Sequence, residues 1–168
     1  GVPWFENTYK LIDPKVKLKW MVNEGGTFKK NQQICKVYGK FNLLLAGERI
    51  ALNFLQTLSG TATITKTFVS KIKSTQSSVL DTRKTIPGLR IAQKYAVKIG
   101  GGLNQRLGLY DEVLIKENHI KSLGNIKNTL NEVKNNLKIP DYQIEVENLK
   151  QLKLAINGGA KNILLDNF

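Results

Sequence analysis

The spacing of apolar residues changes near position 40. Before it, apolar positions come in short alternating runs, the clearest at 16–20, separated by turn residues such as those at 23–26 and 31–33. Alternation with a period of two is typical of strands, and clusters of Asn, Gly and Gln mark the turns between them. The pattern predicts a small β-rich unit over 4–37.

A helical period follows. Apolar residues recur three and four positions apart from Leu44 to Leu58, which predicts a helix of about four turns. Ser59 and Gly60 predict its end, and a second helix is predicted from Ala62 to Ile72.

From there the chain alternates between short aliphatic runs and helical patterns. The runs at 79–80, 113–115, 144–146 and 163–165 predict four strands, and helices are predicted at 91–99, 126–137 and 149–156. This alternation predicts an α/β fold with parallel strands joined by right-handed crossovers. With 168 residues, the chain is shorter than a complete α/β barrel of about 250. The residues therefore predict, after the β-rich segment, parallel strands of an open sheet or of part of an open α/β barrel.

Charged residues follow every predicted strand, where parallel sheets place their reacting groups. They are Arg83 and Lys84, Lys116, Glu145 or Glu147, and Asp166. Two cations backed by hydroxyls in segment 81–90 would suit a carboxylate or phosphate, although a solvated turn fits that segment alone better. The glycine-rich segment 100–106 would let backbone approach a ligand, but it does not fit the dinucleotide fingerprint.

Lys and Arg outnumber Asp and Glu by 26 to 13, which gives a formal net charge of +13. Nucleic acid is one partner class for such a chain, but the lysines are scattered and no nucleic-acid-binding motif accompanies them.

One cysteine, Cys35, and one histidine, His119, exclude an internal disulfide and a structural zinc site. No apolar run is long enough to span a bilayer, so we expect a soluble, cytoplasmic protein without a membrane partner. Its ends, Gly1 and Phe168, predict that it is part of a longer protein.

Taken together, six segments resemble quinolinate phosphoribosyltransferase in their order and spacing. They are 47–53, 59–63, 81–90, 100–106, 114–119 and 164–168. The resemblance covers essentially the whole chain. It implies part of an N-terminal α/β sandwich domain with a linking helix over 1–59, and the first part of an α/β barrel domain over 60–168.

The resemblance also implies an activity. Members of the family are pentosyltransferases that transfer phosphoribosyl from phosphoribosyl diphosphate to quinolinate, with decarboxylation. The products are nicotinate mononucleotide, CO2 and diphosphate, in NAD biosynthesis. The family further implies a homodimer with a shared active site and Mg²⁺ bound to the substrate. A chain holding only part of the barrel exposes strand edges, so we expect it to be poorly stable and inactive by itself.

The resemblance assigns roles to individual residues. It implies that Arg83 and Arg106, with Arg49 from the partner subunit, surround the dianionic quinolinate. Lys84 and Lys116 would face the substrate carboxylate and the diphosphate, while Glu145 and Asp166 would lie near the ribose and its Mg²⁺. Hard oxygen ligands suit Mg²⁺, which binds mainly through substrate phosphates, so no residue is a certain metal ligand.

Gln105 departs from the family, which usually has histidine before the arginine of the glycine-rich loop. If that histidine transferred a proton, its loss would cost about 10²–10⁴ in rate. If it only donates a hydrogen bond to a carboxylate, the Gln105 amide can replace it at a cost near ~1 kcal/mol. We favour the hydrogen bond, because the reaction needs anion binding more than acid catalysis.

Other interpretations stay open. His119 fits a hydrogen-bonded spacer better than a catalytic base, and Arg90 fits a surface charge better than a phosphate contact. The alternatives for the chain are a truncated or noncatalytic family fragment, a paralogue of the same fold found with molybdenum transport genes, and a basic nucleic-acid-binding protein. The three arginines Arg49, Arg83 and Arg106 favour quinolinate over the paralogue's substrate.

Overall fold

A computed structural model describes residues 1–136 and 142–168, which form two compact units, Gly1–Leu107 and Gly108–Phe168. The first unit holds helices α1 (Val2–Ile12), α2 (Phe41–Ile72) and α3 (Arg90–Ile99) and strands β1 (Lys17–Trp20) and β2 (Cys35–Tyr38). The second holds strands β3 (Val113–Ile115), β4 (Tyr142–Val146) and β5 (Asn162–Leu165) and helices α4 (Glu117–Ser122), α5 (Ile126–Asn136) and α6 (Leu149–Asn157). The predicted α/β class is confirmed.

In the first unit, β1 and β2 pair antiparallel, with Lys17 opposite Tyr38 and Trp20 opposite Cys35. One face of this pair packs against α1 and α2. The buried centre of that core is formed by Phe5, Tyr9, Ala51 and Leu55. The strand predicted at 16–20 is therefore present, and its alternating pattern reflects one half-buried and one exposed face.

The start of the chain differs from the prediction, because the region expected to be β-rich begins with helix α1. Pro3 lies in its first turn, where a missing N–H leaves no hydrogen bond unmade. Phe5 and Tyr9, four residues apart, lie on one helical face and are both 4% exposed. Because this apolar stripe is short, the sequence pattern predicts strand runs here instead of a helix.

The predicted break at Ser59 and Gly60 is wrong, because α2 continues from Phe41 to Ile72. A single glycine within a helix costs only about 1 kcal/mol relative to alanine, which packing on either side can offset. Here Leu58 and Thr65 are buried on both sides of Gly60. Three hydroxyls beyond Gly60 also donate to carbonyls four residues earlier, which fits a helix that continues past the glycine. They belong to Thr61, Thr63 and Thr65.

The second unit is a parallel sheet in the order β3-β4-β5. Ile115, Ile144 and Val146 lie in its core, together with Ile126, Leu130, Val133 and Ala155 from α5 and α6. The strands predicted at 113–115, 144–146 and 163–165 are confirmed, as are the helices at 91–99 and 149–156. The helix predicted at 126–137 matches α5, and residue 137 lies outside the described residues. The short helix α4 was not predicted.

The remaining predicted strand, at 79–80, is not formed, so that prediction is wrong. Its pairing is reduced to one parallel bridge between Leu80 and Leu103. The Leu103 N–H donates to the Val79 carbonyl at 2.8 Å, and the Asp81 N–H donates to the Leu103 carbonyl at 3.2 Å. Leu80 is 56% exposed, so little apolar burial supports a longer strand here. The bridge nevertheless brings the segment after Leu80 beside the segment after Leu103.

Within 1–136 and 142–168, no helix is both long enough and apolar enough to cross a membrane.

Candidate functional site

Two neighbouring loops of the first unit carry four of the predicted site residues. We call residues 81–89 the arginine loop and residues 100–107 the glycine loop. Arg83 in the arginine loop is half-buried and Lys84 is exposed. Gln105 and Arg106 in the glycine loop are both half-buried. The bridge between Leu80 and Leu103 starts the two loops side by side.

A buried polar network joins the two loops. Lys94 Nζ, from α3, lies 2.5 Å from Asp81 Oδ1, and the two side chains are only 4% and 6% exposed. Lys94 also donates to the Gln105 carbonyl at 2.7 Å, while the Gln105 N–H donates to Asp81 Oδ1 at 2.9 Å. With its amide nitrogen turned toward Asp81, Asn104 donates to Asp81 Oδ2 and to the Lys94 carbonyl, both at 2.9 Å. Three hydrogen-bonding partners therefore compensate the buried Asp81 carboxylate.

Arg90 is a second link between the loops, and its interpretation as a surface charge is wrong. The side chain is partly buried and donates to the Leu107 carbonyl at 3.2 Å. Longer contacts of 3.4 Å reach the Arg83 carbonyl and Thr85 Oγ1. Arg90 is also the first residue of α3, so this helix begins three residues after Pro87.

The glycines of the glycine loop are required by packing inside the protein. A Cβ at Gly100 would lie 2.5 Å from the Ala62 carbonyl oxygen, and one at Gly102 would lie 2.8 Å from a Val97 methyl carbon. Gly101 has a φ of +90°, which disfavours residues with a side chain. The loop therefore lies against α2 and α3. We had expected these glycines to bring backbone close to a ligand.

Arg83 carries an unused donor. Its Nε is buried and has no hydrogen-bond partner among residues 1–136 and 142–168. A buried guanidinium N–H without an acceptor is costly, and a carboxylate or phosphate oxygen would satisfy it. This part of the first unit therefore has the chemistry of an anion site.

In the second unit, Lys116 and Glu145 meet at the carboxyl ends of adjacent strands. Lys116 follows β3 directly, Glu145 is the penultimate residue of β4, and Lys116 Nζ lies 3.6 Å from Glu145 Oε2. Asp166 follows β5, is exposed, and donates its N–H to the Val146 carbonyl at 2.9 Å. The rule that parallel strands gather charged residues at one edge is confirmed for these three. Glu147, the other candidate at β4, is exposed, and its N–H donates to the Gln151 side chain at 2.8 Å.

His119 has the spacer role that we favoured. Its Nδ1 accepts the Lys116 N–H at 3.0 Å, and its own N–H donates to the Lys116 carbonyl at 3.0 Å. These contacts fix the first turn of α4 immediately after Lys116. The imidazole therefore orients the backbone at the end of β3.

Arg49 is exposed on α2 and makes no hydrogen bond or ion pair within the described ranges 1–136 and 142–168. None of the contacts in those ranges brings it to the arginine loop or the glycine loop.

Sequence reasoning missed Asp81, Lys94 and Asn104. Asp81 follows Leu80 directly, so the rule applied to the other strand ends would have found it. Lys94 gives no comparable signal, because its burial is set by the packing of α3 and not by the residues beside it in sequence. A buried lysine requires a buried acidic or carbonyl partner.

Comparison with known protein families identifies the family of this chain. The model of the quinolinate phosphoribosyl transferase N-terminal domain matches residues 1–59, and that of the C-terminal domain matches residues 61–168. The chain belongs to the quinolinate phosphoribosyl transferase family. The contacts within the structure divide the chain after Leu107 instead. The predicted domains 1–59 and 60–168 therefore stay a prediction.

Individual members of the quinolinate phosphoribosyl transferase family agree with this. A probable nicotinate-nucleotide pyrophosphorylase (carboxylating) of Synechocystis is 38% identical over 99% of this chain and 57% of its own length. A protein of the same description from Bacillus subtilis is 38% identical over 99% of this chain and 58% of its own. The chain thus spans less than two thirds of these relatives.

Solved structures of the family have the same fold. The nicotinate-nucleotide pyrophosphorylase of Francisella tularensis matches with a TM-score of 0.92 and 41% identity, over 98% of this chain and 59% of that one. NadC from Streptococcus pyogenes matches with a TM-score of 0.93 and 34% identity, over 100% of this chain and 60% of that one.

Proposed function

We propose that this chain belongs to an enzyme that transfers phosphoribosyl from phosphoribosyl diphosphate to quinolinate, with decarboxylation. The observation that carries the proposal is the buried Nε of Arg83. It has no partner in the described residues, and its loop is fixed beside the loop of Arg106. The relatives named above as nicotinate-nucleotide pyrophosphorylases support the same reaction.

In this proposal the first unit binds the two carboxylates of quinolinate. Arg83 and Arg106 each offer a planar donor fork that matches a carboxylate, Lys84 adds a point charge, and Gln105 donates an amide hydrogen bond. A charge-assisted hydrogen bond contributes about 1.5–3 kcal/mol. Two or three such contacts give about 3–9 kcal/mol. Micromolar binding needs about 8 kcal/mol net of the association entropy, so the rest of the site must contribute as well.

The second unit contributes to the sugar and diphosphate side of the reaction. The pyridine nitrogen attacks the anomeric carbon, the bond from that carbon to diphosphate breaks, and its electron pair leaves with the diphosphate. The ring then loses a carboxylate as CO2, and the electron pair left on the ring carbon takes up a proton. Glu145 and Asp166 would stabilise the cationic sugar, while Lys116 would stabilise the departing diphosphate.

Mg²⁺ fits this arrangement as an ion bound to the substrate. No group of three or more His, Cys, Asp or Glu side chains within 1–136 and 142–168 could hold a metal by itself. Mg²⁺ needs few protein ligands when diphosphate oxygens and water supply the rest, and it would neutralise charge on the leaving group. Glu145 and Asp166 are the oxygen ligands that we propose, since they lie at the ends of the adjacent strands β4 and β5.

We further propose that the enzyme is a homodimer in which Arg49 serves the partner's site. The support is that Arg49 is exposed on α2 and without a partner in the described chain. The same helix exposes large apolar side chains, among them Phe41, which is 76% exposed, and Phe68, which is 57% exposed. Such a surface is suited to a protein interface.

A cytoplasmic location is proposed as well, in keeping with a single unpaired cysteine, Cys35.

The test uses the protein expressed from its complete reading frame. It is incubated with quinolinate, phosphoribosyl diphosphate and Mg²⁺, and nicotinate mononucleotide and CO2 are quantified. We expect both products in equal amounts, no product without Mg²⁺, and none with nicotinate in place of quinolinate. Absence of product from quinolinate, or equal use of nicotinate, would refute the proposal.

A further inference from the structure

We propose that Lys94 and Asp81 are positioning residues. Their buried ion pair holds the arginine loop against the glycine loop, so that Arg83 and Arg106 reach both carboxylates of one quinolinate. The inference rests on the proposed function and extends it to residues that touch no substrate.

The ion pair of Asp81 and Lys94 connects the two loops. Asp81 is the first residue of the arginine loop, and its Oδ1 accepts hydrogen bonds both from Lys94 Nζ and from the Gln105 N–H. Lys94 Nζ also donates to the Gln105 carbonyl at 2.7 Å. Both backbone polar groups of Gln105 are thus fixed by one ion pair. The position of the peptide that leads to Arg106 is set directly by Asp81 and Lys94.

Burying this ion pair costs free energy. A buried ion pair is often no more stable than apolar residues of the same volume, because both charges lose their hydration. The side chains here are 4% and 6% exposed, so that cost applies in full. What an apolar pair cannot supply is a donor and an acceptor at fixed positions for the Gln105 peptide. Loop geometry is therefore the property that the charged pair provides and an apolar pair would lose.

Helix α3 is the rigid support of both loops. Arg90 and Lys94 are four residues apart, so they lie on one helical face. Arg90 donates to the Leu107 carbonyl at 3.2 Å and also contacts the Arg83 carbonyl. Two successive turns of the helix therefore connect the same two loops. A site placed on loops gains precision when side chains from a helix hold their backbone, and a misplacement of about 1 Å can cost about 100-fold in rate.

The test separates positioning from stability in the protein expressed from its complete reading frame. Lys94→Met alone leaves Asp81 as a lone buried charge and could unfold the protein. The double variant Lys94→Met with Asp81→Asn removes both charges, and Arg90→Gln changes only the second link. Lys98→Met is the matched control, because Lys98 is exposed on the same helix and loses the same charge.

Three measurements are made on each variant: the thermal midpoint, the Kd for quinolinate by calorimetry, and hydrogen exchange of the segment 103–107. For the double variant we expect a thermal midpoint near that of the unmodified protein, faster exchange in 103–107 and a quinolinate Kd raised about 10- to 100-fold. Arg90→Gln should shift exchange and Kd in the same direction by less, and Lys98→Met should change neither.

The outcomes are distinguishable. If the unmodified protein binds no quinolinate, the proposed function fails. If it binds quinolinate and a folded double variant binds equally well with unchanged exchange in 103–107, only the positioning role is refuted. Should the double variant fail to fold, Arg90→Gln decides, because unchanged exchange and Kd in that variant would refute the role of α3 as the support.

Discussion

Lys116 Nζ lies 3.6 Å from Glu145 Oε2, where two adjacent parallel strands end. The lysine side chain is 47% exposed and that of the glutamate 12%, so solvent screens the pair and its contribution to stability is about 0–1 kcal/mol. The pair lies at the edge where α/β sheets bind ligands, and we propose that its role is in the reaction.

Glu145→Gln tests this functional role. The amide keeps the size of the side chain but removes the charge that would stabilise the sugar cation. We expect kcat to fall about 10- to 100-fold, equivalent to the ~1.5–3 kcal/mol of one charge-assisted contact, with the thermal midpoint almost unchanged. Steady-state kinetics with both substrates checks it, and Glu147→Gln is the matched control. Equal losses in the two variants would contradict the assignment.

Much of the fold and of the site edge could be predicted from the sequence. The runs at 113–115 and 163–165 could be recognised because continuous apolar stretches are typical of parallel strands that are covered on both faces. The run at 144–146 could be recognised by its alternation, since Glu145 lies between Ile144 and Val146. Lys116 and Glu145 were predicted at neighbouring strand ends by the same rule. Their position directly at the end of a predicted strand is enough to predict that they lie close together, since parallel strands have their carboxyl ends at the same edge of a sheet.

What could not be predicted depended on tertiary contacts. The break expected at Gly60 is absent because α2 is held by packing of Leu58 and Thr65, which no local pattern records. Helix α1 was missed because its apolar stripe is only about three turns long. The network of Asp81 and Lys94 joins residues 13 apart in sequence across a loop, and charge alone does not identify its partner.

Gln105→His tests whether the glutamine has replaced a hydrogen bond or a proton transfer. Because the structure fixes the Gln105 backbone through Asp81 and Lys94, either side chain should occupy the same place. We expect the quinolinate Kd to change by about tenfold at most, the equivalent of ~1 kcal/mol, with kcat nearly constant. A thousandfold rise in kcat would show that the histidine transfers a proton.

Two glycines of α2 should respond in opposite directions to alanine. A Cβ at Gly47 would lie 2.8 Å from ring carbon Cε1 of Tyr9, whereas one at Gly60 would meet nothing within 4 Å. Gly47→Ala should lower the free energy of unfolding by about 1–3 kcal/mol through overpacking against α1. Gly60→Ala should raise it by about 0.5–1 kcal/mol, since alanine is the better helix former. Urea unfolding measures both, and the same sign for the two variants would disprove the packing described.

Cys35 gives a prediction for alkaline pH. Burial raises the pKa of its thiol, and nearby Glu6 raises it further, while a backbone hydrogen bond from Lys19 partly opposes them. The thiol is therefore protonated at a pH where the unfolded chain already loses its proton. Stability is complete below the pKa of the unfolded thiol and is lost as pH rises through the folded value. Burial also raises the pKa of Tyr9 and Tyr95, which extends the loss to higher pH.

Two measurements check the Cys35 prediction. Iodoacetamide at about pH 8 should alkylate Cys35 more slowly in the folded protein than in urea, because the thiolate is the reactive form. The free energy of unfolding should fall as pH rises above about 8, and Cys35→Ala should reduce the first part of that fall. Equal alkylation rates in the two states would contradict the raised pKa.

We propose that the arginine loop and the glycine loop bind the two carboxylates of quinolinate. Arg83→Lys keeps the charge but removes the planar fork and the buried Nε. Calorimetry of the protein from its complete reading frame should show quinolinate binding at least tenfold tighter than nicotinate, and a Kd about 10- to 100-fold weaker in Arg83→Lys. Equal binding of the two acids, or an unchanged Kd in Arg83→Lys, would contradict the binding of quinolinate by these two loops.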